Sequence, residues 1–199
     1  TMKKLKVGDM IFDENGTPTK VLQKSPILKQ DTYNVIFDTG EVITTTDDHI
    51  WTVNEKTYSK DKVKKDLTTV EMFELGVNYH NRPRFSIPYT KPIDCTKGEL
   101  QIKPYTLGVW LGDGDSSSSK WSLHRDEFEE TGNHIKNEGY TLSKLTLDKR
   151  SKGASSNIQG LLPQLIEKNL LNNKHIPEEY FRASFEQRVS LLQGLMDTD

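Results

Sequence analysis

"YTLGVWLGDGDSSSS", Tyr105 to Ser119, runs from an apolar, helix-like segment into two glycines interleaved with two aspartates. A helix ordinarily stops on one glycine and a polar cap. Here Asp113 directly follows the apolar face, where an ionised carboxylate is costly without a cation or a charged partner. The stretch is either a tight surface turn or a carboxylate held in place for chemistry.

The end of the chain repeats it. "LLQGLMDTD" (Leu191–Asp199) resembles this segment when Gly108 is laid on Gly194, Val109 on Leu195, Gly112 on Thr198 and Asp113 on Asp199. A degenerate repeat with small residues facing one way and an acid at its end predicts two helices packed closely through those small residues. Such packing brings the terminal carboxylates together, and carboxylates that close repel unless a divalent cation bridges them. Mg²⁺ favours one or two carboxylates, several waters and phosphate oxygens. The chemistry this predicts is metal-assisted phosphodiester hydrolysis.

The surrounding chain changes period near residue 92. "DMIFDENGTPTKVLQ" reads as strand, Asn15-Gly16 turn, strand, and "TYNVIFDTGEVITTT" repeats the scheme around Thr39-Gly40. "HIWTV" continues it, "KTYSKDKVKKDL" reads as a solvated loop or helix face, and "TTVEMFELG" as a helix capped at Thr69 and stopped at Gly76. Three prolines (Pro88, Pro92, Pro104) then mark a linker. Beyond them "KWSLHR" and "YTLSKLTLDKR" alternate as strands. "DEFEETGNHIKNEG", "IQGLLPQLIEKNLL" and "SFEQRVSLLQGLMDTD" have helical spacing. The expected class is mixed, β-rich over 1–92 and α/β over 93–199.

Composition sets bounds on function. With 27 basic against 29 acidic residues there is no general attraction to nucleic acid, so any DNA surface is a local patch. The single cysteine, Cys95, excludes an internal disulfide and a cysteine-built zinc site. No stretch approaches the roughly 20 apolar residues of a membrane helix. The N-terminus lacks a signal peptide's apolar core. An intracellular, cytoplasmic setting is the expectation.

Both repeat segments resemble the LAGLIDADG signature of homing endonucleases, in which paired helices join two DNA-binding saddles and each contributes one metal-binding acid. The resemblance implies Mg²⁺ as cofactor, Asp113 and Asp199 as its ligands, and double-stranded DNA as substrate. "NKHIPEEYF" (Asn173–Phe181) resembles the family's intervening motif, which makes Lys174 its catalytic lysine, placed to stabilise charge on a phosphate or help activate water. DNA contact is expected from the strands. Lys120, Ser122 and His124 share one face of "KWSLHR", Arg125 follows, and Lys144, Lys149, Arg150 and Lys152 lie on the later strand and its exit. A solvated strand edge protected by lysines is the other reading of these residues.

The first half resembles the early strands of the Hint fold of inteins, the horseshoe-like domain of protein splicing. "LKVGDMIFDENGTPTKV" carries this resemblance, as does "GEVITTTDDHIWTV" with its Thr-x-x-His, Thr46 to His49. Splicing begins with an acyl shift at the upstream junction, and it uses no external cofactor. The resemblance makes His49 the residue that hydrogen-bonds and protonates the leaving amide nitrogen, with Thr46 helping to hold the peptide. The family's starting nucleophile and its closing His-Asn pair are not in this stretch. The expectation is therefore an intein fragment, partnered by host exteins or a complementary piece and unable to splice alone. Two other readings stay open: a DNA-binding module without cleavage, and a Hint-type autoprocessing domain of a secreted protein.

Overall fold

The computed structural model describes residues 2–56, 63–148 and 152–198. The chain forms two compact units, residues 1–92 and 93–199, of mixed α/β class.

The first unit is built from hairpins. β1 (Met10–Phe12) pairs with β2 (Pro18–Lys20). At their turn Asp13 Oδ1 accepts the N–H groups of Asn15 (2.9 Å) and Thr17 (2.8 Å), and Gly16 takes the left-handed φ of 78° that the turn demands. β3 (Thr32–Ile36) pairs with β4 (Val42–Thr46) around Gly40. β5 (Ile50–Glu55) buries Trp51, Val53 and Glu55 at alternate positions, with β6 (Val63–Thr68) on one side and β9 (Phe85–Ser86) on the other. Trp51, Val53 and Met72 form a small core, flanked by Val35, Phe37, Leu67 and Phe85.

β6 corrects the sequence reading. The basic stretch was expected as a loop or helix face; residues 57–62 of it lie outside the described residues, but 63–68 pair with β5 along its length. Two facts make a lysine-rich strand stable here. Leu67 joins the core, and Lys65 Nζ reaches the buried Glu55 carboxylate at 2.5 Å. Arg84 meets the same carboxylate through Nε (2.9 Å) and Nη2 (2.7 Å), so the buried acid is paired twice. α1 (Thr69–Leu75) is capped one residue earlier than expected, by Thr68 in a capping box with Glu71. Thr69 instead accepts Trp51 Nε1–H at 3.0 Å. The hairpin of β7 (Asn78–Tyr79) and β8 (Arg82–Pro83) was not expected; its turn residues His80 and Asn81 both have positive φ, 49° and 58°.

The second unit centres on α2 (Pro104–Asp113), whose residues Pro104 to Trp110 are all buried. β10 (Lys120–His124) and α3 (Arg125–Asn137) follow, then β11 (Thr141–Leu142), β12 (Thr146–Leu147) and β13 (Gly153–Gln159). β13 is the middle strand, antiparallel to β10 on one side and to β11 and β12 on the other. The single strand expected over "YTLSKLTLDKR" is two short ones, broken where Ser143 bonds Ser156 and Asn157. β13 itself was not expected. Its "GASSNIQ" turns Ala154, Ser156 and Ile158 inward, and the hydroxyl of Ser156 donates to Ser143 O at 2.8 Å. Ile158 and Gln159, expected to begin a helix, end this strand. α4 (Leu161–Glu167) starts after left-handed Gly160. α5 (Glu178–Phe181) follows Pro177, and α6 (Phe185–Met196) is capped by a Ser184–Gln187 box. Among the described residues no helix is long and apolar enough to cross a membrane.

Candidate functional site

α2 and α6 touch through glycine. A Cβ on Gly108 would lie 2.3 Å from Leu191 O and 2.8 Å from Leu195 N. A Cβ on Gly194 would lie 2.2 Å from Tyr105 O and 3.0 Å from Val109 N. The offset that carries Gly108 to Gly194 also carries Tyr105 to Leu191 and Val109 to Leu195. Each contact is therefore the image of the other, the signature of two-fold pairing of like surfaces. Gly112 and Thr198 are related by the same offset and meet each other: a Cβ on Gly112 would lie 2.1 Å from Thr198 Oγ1. The Thr198 hydroxyl is shared between Gly194 O (3.2 Å) and Leu195 O (3.0 Å). Beside this contact, Tyr105 Oη donates to Asp197 Oδ2 at 2.6 Å; burial, reinforced by that carboxylate, raises the phenol above its usual range. Asp199, expected as the second metal ligand, lies outside the described residues.

α2 has no caps of its own. Its N-cap residue Lys103 makes no side-chain cap bond, its first turn holds no acid and its last turn no base. Both ends are closed by residues from elsewhere. Glu138 accepts the N–H groups of Tyr105 (3.0 Å) and Thr106 (2.8 Å) and the Thr106 hydroxyl (2.8 Å). At the other end Lys174 Nζ donates to Leu111 O (3.2 Å), Gly112 O (3.4 Å) and Gly114 O (2.6 Å), and lies 5.1 Å from the centre of the Trp110 ring. A negative group at the helix N-terminus and a positive one at its C-terminus both oppose the helix dipole. Burial lowers the Lys174 pKa, while the charges of Asp113 and Asp115 act to raise it. The sequence motif thus delivers its lysine to the turn that carries Asp113, from 60 residues away.

That turn opens onto a groove of about 620 Å³ whose lining includes Asp113, Asp115, Asp148, Lys120, Ser122 and Ser155. Asp113 is half-buried at its end. Asp115 is exposed, and its carboxyl is held below the usual range by the hydroxyl and N–H of Ser117. The oxygen-rich lining suits a hard cation that keeps part of its water. Among the described residues no three His, Cys, Asp or Glu side chains come together as a metal-holding group.

The sheet places several of the expected DNA-contacting residues together. Lys120, Ser122 and His124 of β10 sit opposite Asn157, Ser155 and Gly153 of β13, on the face away from the buried Trp121. His124 caps α3, its Nδ1 accepting Asp126 N–H at 3.4 Å, and Arg125 is the first residue of that helix. Arg125 N–H bonds Lys152 O at 2.9 Å, which holds Lys152 near this end of β10. Lys144 is exposed between β11 and β12. Lys149 and Arg150 lie outside the described residues.

In the first unit Thr46 and His49 flank the corner between β4 and β5. His49 N–H approaches Thr46 O at 3.4 Å, and His49 O accepts Thr69 N–H at 3.0 Å, anchoring the corner to α1. The His49 ring is exposed and stands edge-on to Trp51, centroids 4.8 Å apart. The Thr46 hydroxyl donates to Asp48 Oδ1 at 2.6 Å, a bond that lowers the Asp48 pKa, so Thr46 offers any third group an acceptor oxygen.

Sequence reasoning missed Glu138, Tyr105 and Asp197. Nothing local marks Glu138, which lies just past α3 in an ordinary charged helix end. No family model matches the chain. It is 28% identical over 211 residues to a protein named replicative DNA helicase DnaB from Mycobacterium intracellulare, an alignment covering 97% of this chain and 34% of that protein. The chain therefore spans about a third of the length of the curated relative it matches.

Proposed function

We propose that the chain is part of an intein carried within a longer DNA-acting protein: residues 1–92 belong to a Hint-type splicing domain and 93–199 to a LAGLIDADG homing endonuclease. The reciprocal glycine contact of α2 and α6 carries the nuclease reading, because it is the geometry that two acid-tipped helices need to bring their ends together. Lys174 at the Asp113 turn agrees with it. The extent of the match agrees too, since an insert would align nearly end to end with a minor part of its carrier's length.

In this reading Asp113 and Asp199 hold Mg²⁺. When bound, the ion supplies a Lewis acid for the phosphate and a more acidic water. Lys120 and Ser122 bind phosphate oxygens along the sheet, and Lys152 adds positive charge at its end. In the first unit the exposed His49 imidazole donates to the scissile amide nitrogen as the acyl group shifts to the upstream nucleophile, and the proton leaves with that nitrogen.

The test uses the intact parent protein and a plasmid bearing the carrier's coding sequence without the insert. Asp113→Asn is expected to abolish Mg²⁺-dependent double-strand cleavage while DNA affinity stays near wild type and falls steeply with salt. Cleavage at the wild-type rate by this variant refutes the assignment. The open sheet face that carries Lys120, Ser122 and His124 also suits a second reading, a DNA-binding module without cleavage. That reading requires the wild-type protein to bind equally with and without Mg²⁺ and to leave the plasmid intact.

A further inference from the structure

Lys174 is built into the turn after α2. Asn169 and Asn172 take left-handed backbone (φ 53° and 54°), which bends the chain sharply ahead of it. Asn172 N–H bonds Ser116 O at 2.7 Å, and Asn173 Nδ2 bonds Asn169 O at 2.9 Å. The first bond ties the 169–173 backbone to the loop that follows Asp113, and the second closes that segment on itself. Lys174 is thus delivered against Trp110 with its ammonium already among the α2 carbonyls. An ammonium has three N–H donors, and here three backbone carbonyls meet it. Two of them belong to Gly112 and Gly114, the residues on either side of Asp113. Neither glycine has a side chain with which to hold its own peptide plane.

We infer that Lys174 is a positioning residue: it clamps the Gly112–Asp113 peptide unit and the Gly114–Asp115 unit one residue further on, and by bracketing the turn it fixes where the Asp113 carboxylate points. The inference rests on the metal-site reading and changes the role of the lysine within it. An ammonium engaged with three carbonyls serves the site through the backbone, whereas a proton donor or phosphate ligand has to present an N–H to the substrate. The two roles differ in sign. A nearby cation that acts only through its charge repels an incoming metal ion, so removing it tightens metal binding. A clamp that orients the ligand predicts that removing it weakens binding.

The experiment titrates Mn²⁺ into the full 199-residue chain as wild type, Lys174→Met, Lys174→Arg and Asp113→Asn, alongside amide hydrogen exchange. Lys174→Met is expected to weaken Mn²⁺ binding about tenfold. It should also speed exchange at Gly114 and Asp115, whose N–H groups bond Trp110 O and Lys120 O, more than at Thr106, which Glu138 holds. Arginine keeps the charge and the donors, so Lys174→Arg is expected to restore both readouts substantially. Unchanged or tighter Mn²⁺ binding in Lys174→Met overturns the clamp, and so does uniform acceleration that includes Thr106. Should methionine unfold the chain, the arginine variant decides: a loss of Mn²⁺ affinity equal to that of Asp113→Asn overturns the clamp. Should Asp113→Asn leave wild-type Mn²⁺ affinity unchanged, the metal-site reading fails, and the exchange comparison alone decides the clamp.

Discussion

At the scale of single residues, the bond from Tyr105 to Asp197 shows how the end of α6 is tied down. Tyr105 is 6% exposed, and its hydroxyl reaches a carboxylate at the helix end. Hydrogen bonds to charged groups are worth about 1.5–3 kcal/mol, and Asp197 is exposed enough to rehydrate when its partner goes. Tyr105→Phe is therefore expected to lower stability by about 1.5 kcal/mol, read as a fall in the urea midpoint with an unchanged slope. No shift in the midpoint would mean that water replaces the hydroxyl without loss. Legibility divides along the same line. Lys174 was legible because a short motif, Lys-His-Ile-Pro, marks it locally. Glu138, Tyr105 and Asp197 act across distances of 32 to 92 residues, and no spacing in the sequence records such a meeting.

At the scale of elements, α2 and α6 were legible because a glycine at a matching place in two apolar segments implies close backbone approach. The cost of filling that approach follows from what the new atom would meet. Alanine is favoured over glycine in a helix by about 1 kcal/mol, but overpacking against immovable atoms costs about 1–3 kcal/mol or more. At Gly108 and Gly194 those atoms are main-chain carbonyls and amides of the partner helix. At Gly112 the obstacle is the Thr198 side chain, its hydroxyl at 2.1 Å and its Cβ at 3.1 Å, which yields at the helix end at the cost of the hydroxyl's bonds to Gly194 O and Leu195 O. Gly108→Ala and Gly194→Ala are expected to destabilise by at least about 2 kcal/mol each, and Gly112→Ala by less. Joining the first two should cost less than their sum, because helices already forced apart leave room for the second methyl. Urea unfolding of the variants checks the order, and an equal loss at Gly112 would contradict it. β13 was illegible for an opposite reason. A strand of small and polar residues, Gly-Ala-Ser-Ser-Asn, has too little apolar alternation to be read. It holds the middle of its sheet because neighbours on both sides complete its hydrogen bonds. β6 likewise needed Glu55 on the next strand before its lysines made sense.

At the scale of the whole molecule, the two units differ in what buried ionisable groups they contain, and so in the direction of their pH sensitivity. In the first unit Glu55 is 6% exposed and held below the usual carboxylate range by its bonds to Lys65 first and Arg84 second. A lowered pKa in the folded state means stability that is complete above the ordinary value of 4.5 and lost as pH falls toward the folded pKa. In the second unit burial raises the pKa of Tyr105, Tyr140 and Tyr180 above the ordinary 10.0. A raised pKa means stability that is complete below 10.0 and lost as pH climbs toward the folded values. Acid should therefore unfold residues 1–92 first and alkali residues 93–199 first. Calorimetry on the wild type and on Trp51→Ala, which cuts into the first unit's small core, identifies each transition. The transition that Trp51→Ala shifts should move down between about pH 5 and pH 3, and the other between about pH 9 and pH 11. In the alkaline range, part of the tyrosinate absorbance should appear only together with the second transition, since three of the protein's seven tyrosines stay protonated until that unit opens. If all the absorbance develops smoothly near pH 10 before any unfolding, the three phenols are not protected by the fold, and the account of how α2 is buried against its neighbours has to be redrawn.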